Sequence, residues 1–246
     1  MQSTYITKYG KITCYDNDIV FVSLLKQEKI FEENLIINYI IPLLINYTEK
    51  IIILDIGAHI GTHTILYSQL LNCKVLAFEP QKKIFNILNK NITDNNLTNC
   101  TIYNNAVGHD NLQTTLSNML YDGYDCKIDY NTTKILNYGG IGLGQNGESV
   151  NMITIDSLNL LECHYIKIDV EGAEILVLLG AYNTINKFKP LIWFEHTDKC
   201  VTQEMKNSMN ITIELPTVFN YLLQFGYNFI KLDDGNILAY TENINI

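Results

Sequence analysis

The sequence is short of basic residues, with 17 Lys and Arg against 26 Asp and Glu in 246 residues. The clustered cations that neutralise a nucleic-acid backbone are missing. A formal net charge of −9 and a pI near 5.0 argue further against a polyanionic partner. Missing too is any apolar run approaching the roughly 18–20 residues of a membrane span. Residues 1–11 have neither a basic leader nor a continuous apolar stretch, so no secretory signal is expected and the expected location is the cytoplasm. No Cys-x-x-Cys pair occurs. The six cysteines, Cys14, Cys73, Cys100, Cys126, Cys163 and Cys200, are scattered as reduced thiols are, not as a disulfide frame or a zinc site. Alanine is sparse while Ile, Asn and Tyr abound, the residue usage of an AT-rich genome, and sequons such as Asn91-Ile92-Thr93 and Asn131-Thr132-Thr133 are read as its chance products.

A hydrophobic content of 47% with 17% charged residues fits a folded chain, and the length suffices for one domain with a substantial core. Residues 4–26 alternate polar and apolar around Asp16-Asn17-Asp18, the pattern of a β-hairpin. Leu35, Ile36, Tyr39, Ile40 and Leu43 fall at helical spacing within 31–45, with Pro42 disturbing the last turn. Residues 1–49 are therefore expected to form a hairpin-and-helix extension. From residue 50 to 246, short apolar strands alternate with amphipathic helices: strands over 51–55, 74–78, 101–106, 165–169 and 191–195, helices over 62–71, 81–92 and 171–186. Strands apolar on both faces belong to a doubly wound parallel sheet. A helix near 215–225 and a hairpin turning at Asp233-Asp234-Gly235-Asn236 close the chain. Residues 110–150 lack periodicity and are expected to form a flexible insertion bordering the substrate; their Gly139-Gly140-Ile141-Gly142-Leu143-Gly144 run resembles a phosphate loop, but no helix of clear period follows it.

Three constellations carry chemistry. The strand Ile51-Ile52-Ile53-Leu54-Asp55 enters a turn, Ile56-Gly57-Ala58-His59-Ile60-Gly61, ahead of a helix, where glycine lets a ligand approach the backbone. Glu79, roughly 20 residues on at the end of the next strand, suits the two hydroxyls of an adenosine ribose. His59 stands where phosphate-binding turns carry their second glycine, and Asp55 would repel a pyrophosphate yet attract the amino group or sulfonium of S-adenosylmethionine. The second constellation, Ile166-Lys167-Ile168-Asp169-Val170-Glu171-Gly172-Ala173-Glu174, puts Asp169 and Glu171 at the ligand end of a buried strand, with Glu174 read as capping the following helix. In the third, Trp193-Phe194-Glu195-His196, Glu195 and His196 either join these carboxylates or are strand-end surface residues. Methyl transfer to an alcohol needs a base, and Asp169, Glu171, Glu195 and His196 could supply it directly or through a divalent ion.

Together these residues resemble the FkbM family of methyltransferases. The likeness covers about 30–240 and rests on Leu54 to Gly61, Phe78-Glu79-Pro80, Asn105-Ala106-Val107-Gly108, Thr154-Ile155-Asp156-Ser157-Leu158 and above all Lys167 to Glu174. Phe31-Glu32 resembles a family Phe/Tyr-Glu pair, and His59 departs from the family's usual Asn. The resemblance implies a Rossmann-like class I methyltransferase sheet and S-adenosylmethionine-dependent O-methylation of a sugar, a glycan or another small alcohol. By position, Asp55, Gly57, His59, Gly61, Glu79, Pro80, Asn105 and Ala106 would hold the cofactor, and Asp169 and Glu171 would face the methyl group. Magnesium, if used, would fall to Asp169, Glu171 and Glu195. Genome composition suggests a viral or parasite source, and hence host cytoplasm if viral. The competing readings are a nucleotide-dependent oxidoreductase, an inactive methyltransferase-like binding module, and a nucleic-acid N-methyltransferase, whose Asn/Asp-Pro-Pro-Tyr/Phe motif is absent.

Overall fold

The computed structural model describes residues 1–47, 49–122, 126–129, 137–196, 201–233 and 235–242, without the side chains of 19, 119–122 and 126–129. In chain order the strands are β1 (Gln2–Thr7), β2 (Gly10–Tyr15), β3 (Ile51–Ile56), β4 (Cys73–Phe78), β5 (Cys100–Tyr103), β6 (Ala106–Val107), β7 (Leu112–Ser117), β8 (Met119–Asp122), β9 (Cys126–Asp129), β10 (Asn146–Ile153), β11 (Tyr165–Ile168), β12 (Leu191–Glu195), β13 (Asn228–Lys231) and β14 (Asn236–Tyr240). The helices are α1 (Ile19–Leu25), α2 (Glu33–Leu35), α3 (Ile41–Leu44), α4 (Thr62–Ser68), α5 (Lys82–Asp94), α6 (Glu174–Leu179), α7 (Tyr182–Phe188), α8 (Gln203–Ser208) and α9 (Val218–Leu223), with a π-helical turn, Ile36–Ile40, joining α2 to α3.

The seven-stranded sheet has the order β13-β14-β12-β11-β3-β4-β5. Strands β5, β4, β3, β11 and β12 run parallel, and β14 is antiparallel to both of its neighbours. This is the Rossmann-like, doubly wound sheet of class I methyltransferases, closed by an antiparallel hairpin. From β3 the chain winds one way through β4 and β5, then returns to β11 and winds the other way. The crevice beyond the carboxyl ends of β3 and β11 is thus the topological switch point, where such sheets hold ligands.

Side-chain alternation explains the continuous apolar runs. Leu54 and Ile56 of β3, Ile166 and Ile168 of β11 and Ile192 and Phe194 of β12 pack on one face with Leu176 of α6 and Leu222 of α9. On the other face Ile51 and Ile53, Tyr165, Leu191 and Trp193 pack with Ile65 of α4 and Ile84 of α5, and with Ile12, Phe21 and Ile36 of the N-terminal segment. Both faces are buried, so both positions of the period-two strand pattern are apolar except where a buried charge is paired, as Asp55 of β3 and Lys167 of β11 are.

Several boundaries differ from expectation for identifiable reasons. The hairpin β1–β2 turns at residues 8–9, because Asp18 is the N-cap of α1 and accepts the Phe21 N–H; the polar Asp16-Asn17-Asp18 triplet starts a helix. The helix expected over 171–186 is broken into α6 and α7 around Gly180, where a Cβ would stand 1.9 Å from the Gly108 carbonyl. The strand expected over 101–106 stops at Tyr103, and Ala106 and Val107 pair instead with β10. Residues 110–150, expected to be an irregular insertion, hold β7, β8, β9 and most of β10, and β6, β10 and β7 form their own small sheet. Among the described residues no helix is long and apolar enough to cross a membrane.

Candidate active site

A cavity of about 220 Å³ lies at the switch point. Its cofactor-like wall begins at Gly57, which has φ +77 and where a Cβ would stand 1.8 Å from the Asp169 carbonyl, so only glycine lets the β3 turn cross over β11. His59 follows at φ 51, a left-handed conformation that histidine tolerates better than most residues. Its N–H donates to Glu79 Oε2 at 3.0 Å, and Glu79 Oε1 accepts the Gln81 N–H at 2.8 Å. Burial raises Glu79 to about 8, the two N–H donors opposing it. The His59 ring packs against Phe21 with centroids 4.5 Å apart. Burial lowers His59 to about 3, so its approach to within 3.8 Å of Asp18 Oδ2 is not an ion pair near neutral pH. Neither ring nitrogen finds a hydrogen-bond partner among the described residues. A buried, unsatisfied donor in a cavity wall marks a place for a polar ligand group. Pro80, Asn105 and Ala106 line the same wall.

Asp169, Glu171 and Glu195 form a carboxylate wall of the same cavity, each offering an oxygen within 4.8 Å of the others. Glu171 is also left-handed, at φ 56. Lys167, buried beneath them, reaches Asp169 Oδ2 at 3.0 Å, the Gly57 carbonyl at 3.3 Å and Asp55 Oδ1 at 3.8 Å. Burial, the largest single influence, would raise Asp169, but the charge and hydrogen bond of Lys167, with smaller contributions from His63 and His59, together hold the carboxyl below its ordinary value. Lys167 is displaced upward: burial opposes its charge, and Asp169, Asp55 and Glu32 more than restore it. Glu32, from the N-terminal extension, joins this wall. Burial and then the charge of Asp169 raise it to about 7.

Asp55, Gly61 and His196 do not line the cavity. Asp55 shares the strand face of Ile51 and Ile53, is fully buried, and accepts the Thr64 hydroxyl at 2.6 Å. Gly61 turns the chain into α4. His196 is exposed and lies edge-on to Phe219 of α9, with centroids 4.8 Å apart. Successive strand residues point to opposite faces, so the turn of β12 that aims Glu195 into the cavity aims His196 away. Glu174 faces back on its own turn, accepting the Gly172 N–H at 3.1 Å.

Two participants had no role from sequence. A lysine between apolar neighbours in a buried strand is itself a signal, since unpaired lysine is almost never buried; Lys167 carried that signal. Glu32 offered only the resemblance of Phe31-Glu32 to a family Phe/Tyr-Glu pair, which gave it no role.

A parallel sheet with its cavity at the switch point, a carboxylate at the end of β4 and carboxylates beyond β11 are the layout of a methyltransferase domain. The methyltransferase FkbM domain matches residues 55–229, and the chain belongs to that family. No curated protein matches the sequence. Among solved structures, a methyltransferase FkbM from Methylobacillus flagellatus is 18% identical, with 79% of this chain and 44% of that one covered at a TM-score of 0.49. The chain thus spans less than half of that protein. A precorrin-6y C5,15-methyltransferase from Geobacter metallireducens is 11% identical over 87% of this chain and 90% of that one, TM-score 0.46. An rRNA methylase from Streptococcus thermophilus is 10% identical over 78% and 87%, TM-score 0.40.

Proposed function

We propose that the chain is an O-methyltransferase whose acceptor is a hydroxyl of a neutral glycan or similar polyhydroxyl compound. The observation that carries this is the carboxylate wall: Asp169, Glu171 and Glu195 with Glu32, and one ammonium, Lys167, behind them. Such a wall attracts a sulfonium, accepts hydrogen bonds from hydroxyls and repels phosphates. In this reading Glu79 takes the ribose hydroxyls, Gly57 and His59 the amino-acid portion, and Pro80, Asn105 and Ala106 border the adenine. Asp55 and Gly61 act from behind, through Lys167 and the entry to α4.

The acceptor oxygen attacks the methyl carbon in line with the sulfur, the C–S electron pair leaves on sulfur, and the hydroxyl proton passes to a carboxylate of the wall. Asp169, Glu171 and Glu195 are also the hard oxygen donors magnesium takes, and a bound ion would lower the pKa of the coordinated hydroxyl. Residues 50–246 then act as one Rossmann-like unit that the 1–49 extension completes.

The test is S-adenosylhomocysteine release from S-adenosylmethionine with a panel of methyl glycosides and oligosaccharides, with RNA oligonucleotides as a parallel arm, each with magnesium or with a chelator. Release with a glycoside supports the reading. Release with RNA alone would replace the acceptor class, cofactor binding without release on any arm would favour a binding module, and loss of release with the chelator would assign the metal.

A further inference from the structure

The family match begins at residue 55 and ends at 229, so it accounts for neither Glu32 nor Asn236, which meet at the cavity from opposite ends of the chain. Asn236 Nδ2 donates to Glu32 Oε1 at 2.8 Å and to Asp233 Oδ2 at 3.2 Å, while Asn236 Oδ1 accepts the Trp193 indole N–H at 2.7 Å. An indole can only donate, so the Asn236 oxygen must face Trp193 and its amide N–H must face Glu32. The other side of the Glu32 backbone is held as firmly. His63 Nε2 lies 2.9 Å from the Phe31 carbonyl, and its ring stacks on Trp193 with centroids 5.8 Å apart. Glu32 Oε1 is thereby fixed, and Oε2 has no hydrogen-bond partner among the described residues; His63 Nε2, at 3.8 Å, is beyond hydrogen-bond reach.

The backbone adds an independent sign. Five of the ten left-handed non-glycine residues among those described are asparagines, a type that tolerates the conformation; of the other five, Glu32 at φ 53, His59 at φ 51 and Glu171 at φ 56 line the cavity, and Glu28 and Lys189 do not. Strained backbone held in place by its surroundings concentrates at functional sites.

We propose that Glu32 is a catalytic residue of the transferase, the carboxylate that receives the acceptor's proton, with Asn236 as its positioning residue. The inference rests on the O-methyltransferase reading above. As the acceptor oxygen bonds to the methyl carbon and the C–S pair leaves on sulfur, the hydroxyl proton goes to Glu32 Oε2, giving a methyl ether, neutral S-adenosylhomocysteine and a protonated Glu32. Asp169 is poorly placed for that task, because Lys167 at 3.0 Å already occupies Oδ2 and favours the carboxylate over the acid. The site thus takes its proton acceptor from the extension, outside the residues that the family domain matches.

The decisive experiment needs no acceptor. Sinefungin carries an ammonium where S-adenosylmethionine carries its methyl group, so a carboxylate facing that position tightens it relative to S-adenosylhomocysteine. In the full chain, calorimetry with both ligands is expected to show a sinefungin preference that Glu32→Gln reduces roughly tenfold, with S-adenosylhomocysteine affinity held within about threefold, whereas Glu32→Asp retains most of it. On an accepting methyl glycoside, Glu32→Gln lowers kcat by about 10²–10⁴ with little change in KM. An unchanged preference in Glu32→Gln overturns the assignment, as does loss of S-adenosylhomocysteine binding in that variant, which would make the role structural. If the unsubstituted chain does not bind S-adenosylhomocysteine, the cofactor reading itself falls.

Discussion

Lys167 shows how much of the site one side chain can hold. Its ammonium lies between Asp55, which is fully buried, and Asp169, and donates to the Gly57 carbonyl, tying β3 to β11 where the cavity opens. Replacing it by Met leaves two carboxylates facing one another without a counter-charge. Breaking a buried pair from one side costs about 3–5 kcal/mol, so Lys167→Met is expected to lower the urea midpoint of unfolding clearly at pH 7.5 and to recover part of the loss at pH 5. A midpoint unchanged at both pH values would mean that Lys167 is not the counter-ion of this cluster. Glu79→Gln is milder for the fold, since the amide keeps one acceptor for the N–H groups of His59 and Gln81. The lost charge-assisted bonds to the ribose are worth about 1.5–3 kcal/mol, so affinity for S-adenosylhomocysteine should fall by at least roughly tenfold; an unaltered dissociation constant would remove Glu79 from the cofactor site. At this scale the sequence displayed the carboxylates at the strand ends, because position along a parallel strand fixes which end faces the crevice. It did not tell Glu195 from His196, since which face a residue takes depends on register against β11 and β14.

Among the elements, the N-terminal hairpin matters more than its separation in sequence suggests. Asn91, buried in α5, accepts the Thr13 N–H at 2.7 Å and donates to the carbonyls of Thr13 at 3.0 Å and Ile60 at 2.8 Å, clasping β2, α5 and the β3 turn together. Asn95, one turn on, accepts the Lys11 N–H at 2.8 Å and donates to its carbonyl. Asn91→Leu leaves buried backbone groups unsatisfied, at about 1–3 kcal/mol each, and loosens α1, whose Val20 and Phe21 line the cavity. The variant should lose both stability and cofactor affinity; a variant as stable as the parent but unable to bind would show that the hairpin shapes the cavity without supporting the fold. Helix α5 itself was legible, because Ile84, Ile87, Leu88, Asn91 and Ile92 bury one stripe. The clasp was not, since an asparagine on that stripe reads as an interruption until its partners, 78 and 31 residues away, are seen. The strands within 110–150 were hidden for a related reason: β7 and β10 pair across a long gap, and their polar, Asn- and Thr-rich sequences carry little alternation.

For the whole molecule, the buried charges give stability and ligand binding opposite dependences on pH. Burial raises Glu79 to about 8, Glu32 and Glu174 to about 7 and Asp18 to about 6. Their contribution to stability is complete below the ordinary carboxyl range and is lost as pH rises through about 6 to 8, because the folded chain keeps protons that the unfolded chain has released. Burial lowers His59 to about 3 and His63 to about 4, so their contribution is lost in the other direction, as pH falls below the ordinary histidine value. Above about 6.5 the histidines are neutral in both states and only the acids act. The cofactor-free chain should therefore melt at a lower temperature at pH 8 than at pH 6.5. Ligand binding runs the opposite way. Glu79 already accepts two N–H groups, and adding two ribose hydroxyls demands the ionised carboxylate, so S-adenosylhomocysteine should expel a proton on binding and gain affinity by up to about tenfold per pH unit below the Glu79 pKa. The shift in melting temperature on adding S-adenosylhomocysteine should widen from pH 6.5 to 8 while the unliganded melting temperature declines. Calorimetry in two buffers of different ionisation enthalpy counts the proton directly, and uptake of a proton, or no exchange, would show that Glu79 does not meet the ribose as a carboxylate.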